Sequence, residues 1–229
     1  MDVYKRPVRK TRKRFFNVEG AAEYIGDLKK NTEIFGITKG QFSIIDILEY
    51  ILNFTGPSDI KIGTWTAAHA DIDRAFQFLK SNKIKTIKFI VDRGFFNRQP
   101  VYCDSLRNLF GNDSIRFLRI HAKFITIQND DWNFVVRTSM NLNENKRMEN
   151  FEITEDKEFC EYLNKFFDSV FENIEMDDVK WNPDNIPPFD GEKIVDKKNK
   201  NIKKNKIDED MFVSDVLNGF DVNNIKYNI

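Results

Sequence analysis

Short apolar runs alternate with helical patterns along residues 34–110, and this alternation limits the possible folds more than any other feature of the chain. Each strand-length run is followed by a stretch whose apolar residues recur at helical spacing. The runs cover residues 34–38, 60–66 and 84–91, and the helical stretches that follow them cover 44–52, 72–79 and 102–110. This order predicts an α/β fold in which helices pack on a β-sheet.

The second half of the chain predicts strands that lie close together in sequence. Residues 115–120, 124–127 and 134–137 are predicted as strands, with 128–133 as the turn between the last two. Such close spacing implies an antiparallel portion of the sheet, so the predicted fold class is a mixed β-sheet flanked by helices. The apolar residues of 159–174 recur at helical spacing and predict a helix that buries one face against this sheet.

The α/β pattern covers residues 19–180, and basic segments flank it. The net charge is zero, with 36 Lys+Arg and 36 Asp+Glu, yet residues 1–14 hold seven Lys/Arg and residues 193–206 hold seven Lys, each with a single Asp. We predict a basic N-terminal arm over 1–18 and a flexible Lys/Asn-rich linker with a C-terminal peptide over 181–229. Such arms suit a polyanion, because each neutralised phosphate releases a counterion. They are equally typical of solvated low-complexity tails.

The composition argues against membrane, disulfide-rich and metal-site proteins. No apolar run approaches the roughly 20 residues that a membrane span needs, and no apolar signal core follows the basic start. Cys103 and Cys160 are the only cysteines, and His69 and His121 are the only histidines. These numbers are too small for a disulfide scaffold or a histidine-rich metal cage. We expect a soluble, cytoplasmic protein with no membrane partner, no metal and no cofactor.

Residues suited to phosphate chemistry are concentrated between positions 120 and 152. In an extended strand, side chains two residues apart point to the same face. His121 and Lys123 are therefore expected side by side, while Ala122 and Phe124 face the core. This pair offers a nucleophile or acid beside a fixed cation.

Ser139 and Asn141 repeat the two-residue spacing at the end of the next predicted strand. They add a hydroxyl and an amide that can donate to phosphate oxygens. Glu152, on a later strand-like segment, is expected to accept from one imidazole nitrogen of His121 and leave the other as the attacking atom. A lone His-x-Lys arises often by chance, so the prediction rests on the whole set of residues.

At these positions the sequence resembles the phospholipase D superfamily, whose signature is His-x-Lys, a later Asp, and a Gly/Ser-Ser-x-Asn turn. The fitting segments are His121-Ala122-Lys123, Thr138-Ser139-Met140-Asn141 and, as the acidic segment that follows, Asn150-Phe151-Glu152. The resemblance covers residues 34–175 and implies a phospholipase-D-like half-domain. Two positions depart from the signature: Gln128 stands where the Asp falls, and Thr138 replaces the small residue. Asp130 and Asp131 are the candidates to replace the missing Asp.

The resemblance implies phosphodiester cleavage without a metal. One histidine attacks phosphorus to form a phosphohistidine, a second protonates the leaving oxygen, and lysine and asparagine hold the non-bridging oxygens. Because this chain contains one such motif, the resemblance implies a homodimer in which each subunit contributes its His121. The basic arms favour nucleic acid over lipid, so we expect a nuclease that acts on DNA. A catalytically weak or inactive nucleic-acid-binding module is the alternative, and a scaffold protein is a third interpretation.

Four further residues are candidates for substrate binding. Arg93 and Arg98 fall in a predicted loop over 92–100, where arginine mixed with phenylalanine suits either a clamp for phosphate and bases or an ordinary surface loop. Arg137 either adds positive potential or pairs with the acidic residues that follow it. His69, after a predicted strand, either lines the cleft or serves as a helix cap or a packed side chain.

Overall fold

The computed structural model describes residues 9–14, 20–143 and 146–173. Its elements are β1 (Arg9–Arg14), α1 (Ala21–Ile25), β2 (Thr32–Thr38), α2 (Ile44–Thr55), β3 (Ser58–Thr64), α3 (His69–Lys80), β4 (Ile84–Asp92), α4 (Arg93–Arg98), α5 (Pro100–Phe110), a 3-10 turn (Asn112–Ser114), β5 (Ile115–Leu118), β6 (Phe124–Gln128), β7 (Asn133–Thr138), β8 (Glu149–Glu155) and α6 (Lys157–Asn173). The predicted linker and C-terminal peptide, 181–229, lie outside the described residues. Most of the predicted N-terminal arm lies outside them as well.

The described strands form one mixed sheet of eight strands in the order β1-β2-β8-β7-β6-β3-β4-β5. β1 is parallel to β2, and β4 is parallel to both β3 and β5. β6 and β8 run antiparallel to their neighbours. The predicted fold class, a mixed β-sheet flanked by helices, is confirmed. This arrangement brings the carboxyl ends of β2, β3, β4, β5 and β7 to one edge of the sheet, together with the amino ends of β6 and β8.

The core is divided between the two faces of the sheet. Phe89 belongs to a large cluster that includes buried residues of α1, α2, α3 and α5, whereas the next residue, Ile90, packs with Phe167 and Val170 of α6. Consecutive strand residues point to opposite faces, so β4 contributes to both layers. The apolar stripe predicted over 159–174 is thus explained by α6, which covers the second face.

The start of α2 shows how local sequence fixes an element. Ser43 is the N-cap residue, and the Asp46 carboxylate accepts hydrogen bonds from the Ser43 N–H at 2.6 Å and from its hydroxyl at 3.0 Å. This capping box satisfies backbone donors that the first turn leaves without helical partners. The same helix then buries Ile44, Ile45, Ile47, Leu48, Ile51 and Leu52.

The structure departs from the predicted secondary structure in one segment and adds a strand in another. Residues 93–98, predicted as a loop, form α4, because the Asp92 carboxylate accepts from the Gly94 N–H at 2.8 Å and Phe95 is fully buried beneath the turn. Residues 9–14, assigned to a basic arm, pair as β1 along the outer edge of β2. A strand rich in Arg and Lys at a sheet edge limits pairing with other chains.

The antiparallel portion predicted from the three closely spaced strands is present between β6 and β7, but β5 is not part of it. β5 lies at the far end of the sheet beside β4, whereas β6 pairs with β3 and β7. The connection between β5 and β6 therefore passes over the carboxyl ends of β4 and β3. His121 and Lys123 lie in this connection and not in a strand, and Ala122, expected in the core, is exposed.

Candidate functional site

The connection between β5 and β6 places His121 at the carboxyl edge of the sheet. Trp65, the first residue after β3, lies beneath this connection, and its ring centroid is 5.7 Å from that of His121. His121 is exposed to solvent. Loops at the carboxyl ends of strands are where α/β folds usually bind ligands. The imidazole is therefore accessible to a ligand at this edge.

Lys123 lies beside His121, as predicted, although strand alternation is not the reason. The chain folds so that Lys123 Nζ donates to the His121 carbonyl at 2.7 Å and lies 3.2 Å from His121 Nδ1. Burial lowers the pKa of Lys123, while the nearby carboxylates of Glu149 and Asp92 oppose this change. An ammonium can only donate hydrogen bonds, so in this contact the imidazole nitrogen is the acceptor.

Ser139 is held in the turn that follows β7. Its hydroxyl donates to the Glu149 carboxylate and accepts from the Asn150 N–H at 3.0 Å. The hydroxyl of Thr138 donates to the Asn150 carbonyl at 2.6 Å and accepts from the Met140 N–H at 3.0 Å. Thr138 is also joined to the segment that carries His121, because its N–H donates to the Lys123 carbonyl at 3.1 Å. Thr138, which departs from the family signature, thus stabilises this turn.

Asn141 is brought next to the residues that follow β3. The N–H of Leu142 donates to the Thr66 carbonyl at 3.2 Å, and Ala68 N–H donates to the Leu142 carbonyl at 2.7 Å. The side-chain oxygen Oδ1 of Asn141 is buried, and no described atom donates to it. Buried polar atoms are nearly always hydrogen-bonded, so an oxygen with no donor among the described residues is unusual.

Glu152 does not approach His121 as expected. Its carboxylate pairs with Arg137 at 2.6 Å, and it lies on β8 opposite Phe35 of β2. Burial raises the pKa of Glu152, a hydrogen bond with Glu33 raises it further, and Arg137 opposes both. The pair belongs to the face covered by α6, because the Arg137 guanidinium lies 5.1 Å from the ring centroid of Phe159.

Glu149 is the acidic residue at the His121 edge that the sequence pattern did not single out. It is the first residue of β8, opposite Thr38, whereas Glu152 lies three residues further into the strand. At about 3.3 Å per residue, this separates the two positions by roughly 10 Å. The sequence feature that could have identified Glu149 is its position at the start of β8, but the apolar pattern does not locate the start of a strand that closely.

Arg98 and Arg93 lie beside the His121 edge. The guanidinium of Arg98 is 4.6 Å from the ring centroid of Trp65 and 3.9 Å from Asp92. Arg93 lines an open cleft of about 530 Å³ with Asp92, Gly94, Asn97 and Arg119. Trp65 was not among the predicted site residues, because only the path of the β5–β6 connection brings it to His121.

His69 has a different environment from the one expected of a cleft residue. It is the first residue of α3, its Nδ1 lies 2.7 Å from the Asp73 carboxylate, and its ring packs edge-on against Tyr102 at 6.2 Å. The contact with Tyr102 agrees with the alternative of a packed side chain, whereas the N-cap residue of α3 is Ala68. Arg137 likewise agrees with its alternative, since it pairs with Glu152.

Gln128 lies at the end of β6 that is farther from Lys123, and its side chain makes hydrogen bonds within the fold. Its amide donates to Asn133 at 2.8 Å and accepts from the Asn164 amide of α6 at 2.9 Å. Asp130 and Asp131 follow it in the β6–β7 turn, at the same opposite edge of the sheet. Neither can therefore replace the missing Asp beside His121, and that expectation is wrong.

The described part of the chain offers neither a metal-binding cluster nor a membrane span. Among residues 9–14, 20–143 and 146–173, no group of three or more His, Cys, Asp or Glu is arranged to hold a metal ion. No described helix has both the length and the apolar character needed to cross a membrane.

Comparison with known proteins gives only distant structural similarity. No protein-family model and no curated protein matches the sequence. Polyphosphate kinase from Porphyromonas gingivalis is 11% identical with a TM-score of 0.45, over 66% of this chain and 27% of that one. The archaeal chromatin protein TrmBL2, described as having a novel mode of DNA binding, is 12% identical with a TM-score of 0.40, over 57% of this chain and 49% of its own. The chain thus spans less than half the length of either protein.

Proposed function

We propose that the chain is a metal-independent phosphodiesterase that cleaves DNA and uses His121 as its nucleophile. The observation that carries the proposal is the accessible His121 ring at the carboxyl edge of the sheet, with the Lys123 ammonium 3.2 Å from Nδ1. A neutral imidazole beside a fixed cation can attack an anionic phosphodiester, because the cation offsets the charge of the approaching phosphate. The resemblance of His121-Ala122-Lys123 and Thr138-Ser139-Met140-Asn141 to the phospholipase D signature supports the same chemistry.

The reaction proceeds in two displacements at phosphorus. The free electron pair of one His121 ring nitrogen forms a bond to phosphorus, and the bond from phosphorus to the leaving oxygen breaks. A second, protonated imidazole gives its proton to that oxygen. The same second imidazole then takes a proton from water, which attacks phosphorus and releases the nitrogen of His121. The products are a phosphomonoester and an alcohol, and both imidazoles return to their starting states.

A homodimer supplies the second imidazole in this proposal. The Nδ1 atom of His69, the other histidine of the chain, lies 2.7 Å from the Asp73 carboxylate at the start of α3. A two-fold axis that brings the exposed His121 of each subunit together would place two imidazoles around one phosphate. Lys123 and the Asn141 side-chain amide would then donate to the non-bridging oxygens, whose charge grows in the transition state. The Ser139 hydroxyl, which donates to Glu149, would hold the turn that precedes Asn141.

DNA is the proposed substrate class because positive charge extends along the His121 edge and beyond it. Arg98, Arg93 and Arg119 lie beside the edge. The flanking segments 1–18 and 181–229 also contain basic runs, with seven Lys/Arg in residues 1–14 and seven Lys in residues 193–206. Cations in such numbers bind a phosphate backbone through counterion release, independently of base sequence. The proposal therefore includes little sequence preference.

The test is cleavage of plasmid and single-stranded oligonucleotide in the presence of EDTA. Wild type should cut, and His121→Ala should lose activity by at least about 10³-fold, because the nucleophile is absent. Lys85→Ala is the matched control, since this exposed residue lies near the amino end of β4, at the opposite edge of the sheet. Sedimentation should show a dimer. Cleavage by His121→Ala at the wild-type rate, or an active monomer, would overturn the proposal.

A second candidate is a module that binds DNA without cutting it. One observation favours it: within the described ranges, the hydrogen bonds of the His121 ring are to Lys123, and no carboxylate orients the imidazole. Under this candidate, wild type and His121→Ala bind DNA with the same steep salt dependence and neither cuts. The cleavage assay separates the two candidates.

A further inference from the structure

An open cleft adjoins the His121 edge at the ends of β4 and β5. Asp92 ends β4, Arg93 and Asn97 come from α4, and Arg119 follows β5 at the start of the connection that carries His121. The cleft has a volume of about 530 Å³, within the usual range for ligand sites. It is therefore large enough to accept a phosphate with part of its sugar.

The residues that line this cleft carry more positive than negative charge, with two arginines and one aspartate. The only carboxylate among its lining residues is Asp92, which accepts from the Gly94 N–H at 2.8 Å and lies 3.9 Å from Arg98. Within the described part of the chain, neither Arg93 nor Arg119 takes part in an ion pair. Two guanidiniums without counter-charges in a concave surface attract an anion, and their planar donor groups suit the oxygens of a phosphate.

The spacing relates this cleft to the reacting phosphate. Arg119 and His121 are two residues apart, so their Cα atoms are at most about 7 Å apart. Successive phosphates in one strand of duplex DNA rise by about 3.4 Å along the axis and are farther apart than this through space, so a separation of this order suits neighbouring phosphates. A strand with one phosphate at His121 could therefore place a neighbouring phosphate between Arg93 and Arg119.

We propose that the Arg93–Arg119 cleft binds the backbone phosphate of a nucleotide adjacent to the one attacked at His121, so that a polynucleotide strand is the preferred substrate over an isolated phosphodiester. This inference rests on the proposed function of His121 and adds the substrate class. The cleft contributes binding of a second phosphate, and the His121 edge contributes the chemistry. A diester with a single phosphate uses only the His121 edge.

The experiment compares two substrates with one set of variants. The double variant Arg93→Ala/Arg119→Ala should raise KM for a single-stranded oligonucleotide by about 10-fold or more. It should leave hydrolysis of bis(p-nitrophenyl) phosphate, which has one phosphate, within about 2-fold of wild type. The matched control is Lys29→Ala/Lys85→Ala, which removes the same charge from exposed positions before β2 and near the start of β4, at the opposite edge. This control should change neither substrate by more than about 2-fold.

Binding gives a second readout that does not need cleavage. In a His121→Ala background, loss of one phosphate contact should reduce the slope of log K against log salt by about 0.7 for single-stranded DNA. An unchanged slope and KM, or equal loss on both substrates, would overturn the cleft inference. If wild type cuts neither substrate, the proposed function fails, and the binding slope alone decides whether the cleft takes a phosphate.

Discussion

Replacing Trp65 with alanine should slow DNA cleavage, because Trp65 is the contact that links the groups of the site. Its ring lies 5.7 Å from the His121 ring, 4.6 Å from the Arg98 guanidinium and 6.0 Å from Lys123 Nζ. Trp65 acts through these groups and is a positioning residue in this account. Its removal leaves His121 on an exposed connection without the ring that packs against it.

The size of the effect follows from the two interactions that the indole ring makes with its neighbours. Release of the His121 side chain among about three χ1 rotamers costs RT ln 3, about 0.6 kcal/mol. Loss of the cation–π contact with Arg98 costs about 0.5–1 kcal/mol at an exposed site. The sum, about 1.4 kcal/mol, corresponds to a tenfold fall in kcat/KM. Trp65→Phe keeps an aromatic face and should remain within about 3-fold of wild type.

The assay is steady-state cleavage of an oligonucleotide in EDTA, with thermal unfolding of each variant measured in parallel. Trp132→Ala is the matched control, because this half-buried tryptophan stacks on Phe134 in the hairpin at the opposite edge. Both alanine variants should lose stability, but only Trp65→Ala should lose activity. Full activity in Trp65→Ala, or an equal loss in Trp132→Ala, would refute the positioning role.

Three other substitutions test separate parts of the structure. Gly36→Ala would place its Cβ 2.5 Å from the ring of Phe151, so we expect a loss of roughly 2 kcal/mol in unfolding free energy, seen as a lower denaturation midpoint. Burial raises the pKa of Glu152, so the folded protein keeps the proton on this carboxyl group up to a higher pH than the unfolded chain does. The contribution of Glu152 to stability therefore falls as pH rises from the unfolded pKa through the folded pKa. Glu152→Gln removes this dependence, and its unfolding free energy relative to wild type should increase from about pH 4 to 7; a constant difference would contradict the assignment. Gln128→Asp loses the donor to Asn133, and it should reduce stability without raising cleavage, whereas a gain in activity would place this position in the site.

The long periodic segments of the chain could be predicted because burial alone determines their pattern. α2 and α6 each bury one apolar stripe, and the strand-length runs of β2, β3 and β4 occur where the pattern indicates them. α4 was missed because it has only six residues and contains a glycine, so its apolar pattern is too short to recognise. Asp92, which is the N-cap residue of α4, is the sequence feature that could have indicated the start of this helix.

The candidate site was predicted less completely than the fold, because it depends on a connection between distant strands. The sequence indicated that His121 and Lys123 are neighbours, and they are, but through a folded connection and not through strand alternation. Trp65 reaches His121 because the connection from β5 passes over β4 and β3, and no local pattern contains that path. The sequence pattern pointed to Glu152 and not to Glu149 because it cannot locate the start of β8 to within three residues.

Detection of a covalent intermediate tests the central claim most directly. Wild type would be mixed with a labelled oligonucleotide in EDTA, stopped in alkali, digested and analysed by mass spectrometry. The account predicts a nucleotide joined to a ring nitrogen of His121, stable in alkali and labile in acid, and no adduct in His121→Ala. DNA cleavage in EDTA with His121 unmodified at every time point, or with the nucleotide attached to another residue, would contradict it.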